Sequence, residues 1–140
     1  MTTRRSNGGT VIFGRHVDDW EELVTAATDW LEDRARLRLT TTYTKLNNAL
    51  VERTGQAPFD FGQTADRAAM GHLLGTVSER KYPEIRCMLT AIVPHRDGTG
   101  PGSGFYLEAQ KLGLLPRTVR DDEQLSFWVQ QVERVFDAYR

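Results

Sequence analysis

An apolar run that passes abruptly into a glycine-rich loop constrains the fold of this chain more than any other feature. Residues Met88–Val93 form a short, mainly apolar run, and Pro94 follows it directly. A run of this length bounded by turn residues is typical of a buried strand. The sequence therefore predicts a strand that leads into an irregular loop, with glycines at Gly98, Gly100, Gly102 and Gly104.

Length and composition predict one soluble globular domain. The chain has 140 residues, 39% of them hydrophobic and 26% charged, and a formal net charge of -1. We expect a flexible tail over residues 1–14 and a single domain over residues 15–140. No apolar run approaches the roughly 20 residues of a membrane helix, so no membrane partner is expected. Cys87 is the only cysteine, which excludes an internal disulfide and favours a cytoplasmic location.

Two amphipathic helices are predicted near the ends of the domain. The first runs from about His16 to Ala35, with acidic residues in its first turn. The second runs from Asp121 to Arg140. Its apolar residues advance by alternating steps of three and four, which predicts one narrow apolar seam. This seam either packs on its own domain or forms a contact between two copies of the chain, through Leu125, Trp128, Val132, Val135 and Tyr139.

Between these helices the sequence predicts alternating short elements. Residues 36–43 alternate in polarity and favour a strand. A second helix is capped by Thr42 or Thr44 and stopped by Gly55, and a short helix covers residues 105–112. A third helix extends from Thr64, as its cap, to about residue 80, and Pro83 ends that segment. This order of elements predicts an α+β, mainly helical fold: a winged helix-turn-helix-like domain with additional amphipathic helices at both ends.

Three short segments resemble a known family of DNA-binding domains. They are TYTKL at residues 42–46, ADRAAMG at 65–71 and LTAIVPHR at 89–96. Together they resemble the winged-helix domain of O6-alkylguanine-DNA alkyltransferases and alkyltransferase-like proteins, whose strand runs into Pro-Cys-His-Arg. Here Pro94 is followed directly by His95, so the nucleophilic cysteine is absent, and Cys87 cannot take its role. The resemblance implies duplex-DNA binding without alkyl transfer.

The expected function is therefore non-catalytic binding of duplex DNA, as in a regulator, a phage, defence or nucleoid accessory protein, or a sensor of modified bases. The third helix would enter the major groove, where Arg67 can form two hydrogen bonds to guanine, and the glycine loop would contact phosphates. The alternative for each candidate residue is a solvated, capping or packed side chain with no role in binding. The candidate DNA-binding residues are Tyr43, Lys45, Thr64, Arg67, Arg80, Lys81, Arg86, His95 and Arg96.

The sequence predicts neither an enzyme nor a cofactor-binding protein. Its three histidines, His16, His72 and His95, lie too far apart to suggest a metal site. No nucleophile, base and orienting group recur in a recognisable arrangement. The alternative function is a protein-interaction module on the same fold, using the apolar seam of the last helix. The nearly neutral net charge favours that alternative.

Overall fold

The computed structural model describes residues 10–94 and 100–140, and over these residues the protein is mainly helical with one small sheet. The prediction of a mainly helical chain with a minor β component is confirmed. Two strands, β1 and β2, form an antiparallel hairpin in which Val11 pairs with His16. The elements in chain order are β1 Val11–Ile12, β2 Arg15–His16, α1 Val17–Arg36, α2 Tyr43–Thr54, α3 Thr64–Ile85, a 3-10 helix Leu89–Ile92, α4 Ser103–Lys111 and α5 Asp121–Ala138.

The hairpin differs from the flexible tail predicted for residues 1–14. Phe13 and Gly14 form its two-residue turn, with φ angles of 50° and 79°. Positive φ at both central residues is typical of the tight turns that join two paired strands. The indole nitrogen of Trp20 donates a hydrogen bond to the carbonyl of Ile12, which ties the hairpin to α1. Residues 1–9 lie outside the described part of the chain.

The first two helices form as predicted. His16 caps α1, because its Nδ1 accepts a hydrogen bond of 3.1 Å from the backbone N–H of Asp18. Thr42 is the cap of α2, and its hydroxyl accepts from the N–H of Lys45 at 3.1 Å. Gly55 ends α2 in the left-handed conformation, with a φ of 73°. A side-chain cap at one end and a left-handed glycine at the other therefore set the bounds of α2.

The two strands predicted for residues 36–43 and 88–93 are wrong. Residues 37–42 contain no strand, and Arg38 adopts a left-handed φ of 57°, which breaks an extended run. The predicted strand Met88–Val93 contains instead the 3-10 helix Leu89–Ile92. Every residue of that run is buried, so polarity does not alternate along it, and an apolar run alone cannot distinguish a strand from a helical turn.

The predicted bounds of α3 need correction at both ends. Thr64 is its first residue and not its cap; Gln63 precedes the helix without a side-chain capping bond. At the other end, α3 passes through Pro83 and continues to Ile85. A proline removes one backbone donor, and the helix ends within three residues, where Arg86 takes a left-handed φ of 59°.

The core lies between α1, α2, α3 and the 3-10 helix. Leu31 of α1, Leu73 of α3 and Leu89 of the 3-10 helix are completely buried. Helix α5 covers the 3-10 helix on the other side, and α4 packs against α3. Over residues 10–94 and 100–140, no helix combines the length and apolar character needed to cross a membrane.

Candidate functional site: a cavity beside helix α3

A cavity of about 610 Å³ lies where α3 faces the first turns of α2 and α4. Its walls are mainly apolar and come from four separate segments of the chain. Aromatic rings of Phe61 and Phe105 line it, together with Met70, Leu74 and Val93. Small-molecule sites are typically concave and apolar, with volumes between about 300 and 1,000 Å³.

Two glycines open the α3 side of this cavity. Gly71 and Gly75 are one helical turn apart, and both line the cavity. A Cβ atom built at Gly71 would meet no atom within 4 Å beyond its own helix, whereas one at Gly75 would lie 3.0 Å from Glu108 Oε1. Helix α3 is therefore closely approached by a neighbouring side chain at Gly75, whereas Gly71 borders open space.

Hydroxyl groups line two other parts of the cavity. Ser78 of α3 and Thr90 of the 3-10 helix share a buried hydrogen bond of 2.6 Å between their oxygens. Tyr43 lies at the start of α2, where its burial raises its pKa, although a hydrogen bond with the backbone of Gly102 acts in the opposite direction. These groups are already hydrogen-bonded within the protein.

Glu108 differs from these hydroxyl groups. Its side chain is only 9% exposed, and Oε2 has no hydrogen-bond donor beside it. Burial, together with the hydrogen bond to Glu79 and the charge of Glu79, raises the pKa of Glu108 to about 7, although the charge of Lys111 acts in the opposite direction. A protonated Glu108 can donate to Glu79, whereas an ionised Glu108 leaves a buried oxygen unsatisfied.

Lys111 neutralises Glu79 more directly than it neutralises Glu108. Its ammonium lies 2.9 Å from Glu79 Oε2 and 4.0 Å from Glu108 Oε1. The pKa of Glu79 is accordingly lowered, mainly by its hydrogen bond with Lys111. We call these three residues, Glu79, Glu108 and Lys111, the Glu108 cluster. It contains two acids and one base.

Two of the predicted DNA-binding residues, Tyr43 and Arg67, line this cavity, and Lys45 and Thr64 lie in the same helical turns as these two. Tyr43 and Lys45 lie in the first turn of α2, and Thr64 and Arg67 in the first turn of α3. The Tyr43 ring contacts the ring of Phe61 at a centroid distance of 6.4 Å. Arg67 lines the cavity and donates to the Phe61 carbonyl at 2.7 Å and to the Thr64 hydroxyl at 3.1 Å.

The other predicted DNA-binding residues lie elsewhere. Arg80 forms two hydrogen bonds with Glu21, the shorter of 2.7 Å, and lowers the pKa of that carboxyl. Lys81 contacts Glu32 at 2.9 Å. These cations lie near the far end of α3, as does Arg86, which lies over the ring of Tyr82. His95 and Arg96 are outside the described residues.

The apolar seam of α5 packs mostly on its own domain. Val135 is completely buried, and Trp128, Val132 and Tyr139 pack against the core. Leu125 differs, because 47% of it is exposed. The described contacts account for four of the five seam residues without a second copy of the chain.

Sequence reasoning missed Glu108, although the sequence around it carries a signal. Phe105, Glu108 and Ala109 are the buried residues of α4, at positions i, i+3 and i+4 of one helical face. An acid at such a position is expected to be buried, and buried acids have perturbed pKa values. Glu79 and Lys111 could not be placed beside it without the tertiary structure.

Neither a metal site nor a relative gives further information on this cavity. Among the residues that the structure describes, no three His, Cys, Asp or Glu side chains are grouped to hold a metal ion. No family model matches the chain, and comparison with curated proteins and with solved structures gave no match.

Proposed function

We propose that this protein binds a small organic molecule in the cavity beside α3. One observation carries the proposal: an apolar cavity of about 610 Å³ contains a buried carboxyl group with an unsatisfied oxygen. Apolar walls with a few polar groups of perturbed pKa are the usual composition of a ligand site. The aromatic walls of Phe61 and Phe105 favour a ligand that contains a ring.

Filling the cavity from Gly71 tests this proposal. The variant Gly71→Leu places a side chain where a Cβ meets open space. We expect the wild type to bind benzyl alcohol, a neutral aromatic probe, with a Kd of about 1 mM, as a ligand of this size allows. Titration followed by 1H-15N NMR would show changes in the amide chemical shifts of residues that line the cavity. The variant should not show these changes.

The variant Ala68→Leu is the matched control, because it adds a similar side chain to an exposed position of the same helix. It should bind the probe like the wild type. Gly71→Leu should also be at least as stable as the wild type, since leucine favours a helix over glycine by about 0.8 kcal/mol. Equal probe binding by Gly71→Leu and the wild type would contradict the proposal.

Binding of duplex DNA, the function expected from the sequence for a winged-helix-like domain, is the second candidate function. The observation in its favour is that Lys45, Thr64 and Arg67 are all exposed and lie in the first turns of α2 and α3, both of which border the cavity. Helix N-termini attract phosphate groups, and lysine and arginine add positive charge. The equivalent cations at the far end of α3 are paired with acids and support this function less.

Fluorescence anisotropy with a random-sequence duplex tests this candidate. Lys45→Ala and Arg67→Ala should each weaken binding at low salt, because each removes a phosphate contact. Arg80→Ala is the control, since Arg80 lies 13 residues beyond Arg67, or about 20 Å along α3. Undetectable binding at low salt would exclude DNA binding as the function. An equal loss of affinity in all three variants would contradict a DNA contact centred on Lys45 and Arg67.

A further inference from the structure

We propose that the cavity accepts the protonated nitrogen of an amine or amidine ligand, and that this nitrogen pairs with the Glu108 carboxylate. The inference rests on the proposed function and names the class of ligand that the cavity binds. It follows from the position of Glu108, from the charge of the Glu108 cluster, and from the absence of another donor for Glu108 Oε2 among the described residues.

The position of Glu108 makes its carboxyl group part of the cavity wall. Glu108 lines the cavity, and its Oε1 lies where a Cβ of Gly75 would nearly touch it. Any side chain at position 75 would press on this carboxyl group. The glycine therefore allows the carboxyl to lie directly against α3, beside the apolar walls that would contact the rest of the ligand.

When both acids are ionised, the Glu108 cluster lacks one positive charge, because it contains two carboxylates and one ammonium. Lys111 pairs with Glu79 at 2.9 Å, and at 4.0 Å it is at the limit of an ion pair with Glu108. A buried carboxylate without a partner is costly, so Glu108 tends to take up a proton. A ligand cation would replace that proton and supply the donor that Oε2 lacks.

Other charged groups near the cavity do not supply this donor. On α3, His72 acts on Glu79 through its charge, and Arg67 lies eight residues before Gly75, or about 12 Å along the helix. The guanidinium of Arg67 is hydrogen-bonded to Phe61 and Thr64. An anionic ligand group would be repelled by Glu79 and by an ionised Glu108, which selects for a cation at this position.

A matched pair of probes tests the inference. Benzylamine and benzyl alcohol have the same size and differ in charge, and both would be titrated into the full-length protein by 1H-15N NMR. We expect benzylamine to bind at least about 10-fold more tightly than benzyl alcohol at pH 8. The variant Glu108→Gln, which retains the size of the side chain, should remove this preference.

The pH dependence of binding gives a second, independent test in the unaltered protein. Benzylamine affinity should rise by at least about 10-fold from pH 5.5 to pH 8, because Glu108 ionises near pH 7 while the amine stays protonated. Benzyl alcohol affinity should not change. The variant His72→Gln should keep the rise, because the titrating group is Glu108.

Each outcome of these titrations is decisive. Equal affinity for the two probes at pH 8, or a rise that persists in Glu108→Gln, would overturn the amine assignment while leaving the cavity as a ligand site. Failure of both probes to bind would overturn the assignment and the proposed function together. Binding of benzylamine that is unaffected by Gly71→Leu would place the amine site outside the cavity, and would also overturn it.

Discussion

At the scale of single residues, Glu108 links the stability of the fold to the solution pH. Burial and the neighbouring Glu79 both favour its protonated form, which raises its pKa to about 7 from an ordinary value of 4.5. A protonated Glu108 satisfies its own oxygen by donating to Glu79. An ionised Glu108 must instead remain buried beside the Glu79 carboxylate. The single positive charge of Lys111 cannot neutralise both acids.

The free energy of unfolding should therefore fall as the pH rises through the titration of Glu108. Because the folded pKa lies above the unfolded value, the stabilisation is complete below about pH 4.5 and is lost between that pH and about 7. Glu108→Gln should remove this contribution and make the protein about 1–3 kcal/mol more stable relative to the wild type at pH 8 than at pH 4.5. Urea denaturation at both pH values would measure the difference.

An exposed acid provides the control for this prediction. Glu133 lies on the solvent side of α5, and Glu133→Gln should change stability equally at the two pH values. A Glu108→Gln variant with the same pH dependence as the wild type would show that the pKa of Glu108 is the same in the folded and the unfolded chain.

At the scale of elements, α5 holds the 3-10 helix in place through two side chains. The indole N–H of Trp128 donates to the carbonyl of Ala91 at 2.8 Å. The side-chain oxygen of Gln131 accepts from the backbone N–H of Met88 at 2.9 Å, and both partners are buried. A 3-10 helix leaves several backbone groups unpaired at its ends, so side chains from α5 complete its hydrogen bonding.

Removing the Gln131 side chain should destabilise the protein more than removing the neighbouring Gln130 side chain. Gln131→Ala leaves the N–H of Met88 buried without an acceptor, and we expect a loss of about 1–3 kcal/mol in the free energy of unfolding. Gln130→Ala, at an exposed position of the same helix, should change it by less than about 0.5 kcal/mol. Urea denaturation of both variants measures the difference, and equal losses would mean that Met88 finds another acceptor.

At the scale of the whole molecule, the sequence predicts the helices well and the cavity not at all. Helices α1, α2 and α5 have clear periodicity or caps, and their bounds differ little from those expected. The run Met88–Val93 was misassigned because a segment buried on every side carries no periodicity. The cavity depends on where α2, α3, the 3-10 helix and α4 meet, and four segments so distant in sequence give no local signal of an empty volume between them.

The sequence also does not show which of the predicted DNA-binding residues lie close together in the folded chain. The sequence predicts Arg67, Arg80 and Lys81 as DNA-binding residues. In the folded chain Glu21 and Glu32 of α1 pair with Arg80 and Lys81, whereas Arg67 lies at the cavity. Ion pairs between residues some 50 to 60 positions apart are set by helix packing, which a single sequence does not reveal.

The residue at position 71 affects the stability of the protein and the volume of the cavity in opposite ways. Alanine there would meet no atom of another segment and would strengthen α3 by about 1 kcal/mol, yet its methyl group would reduce the volume left for a ligand. A protein optimised for stability alone would therefore gain by closing this space. Glycine within this 22-residue helix makes the protein less stable than alanine would, and it keeps the cavity open.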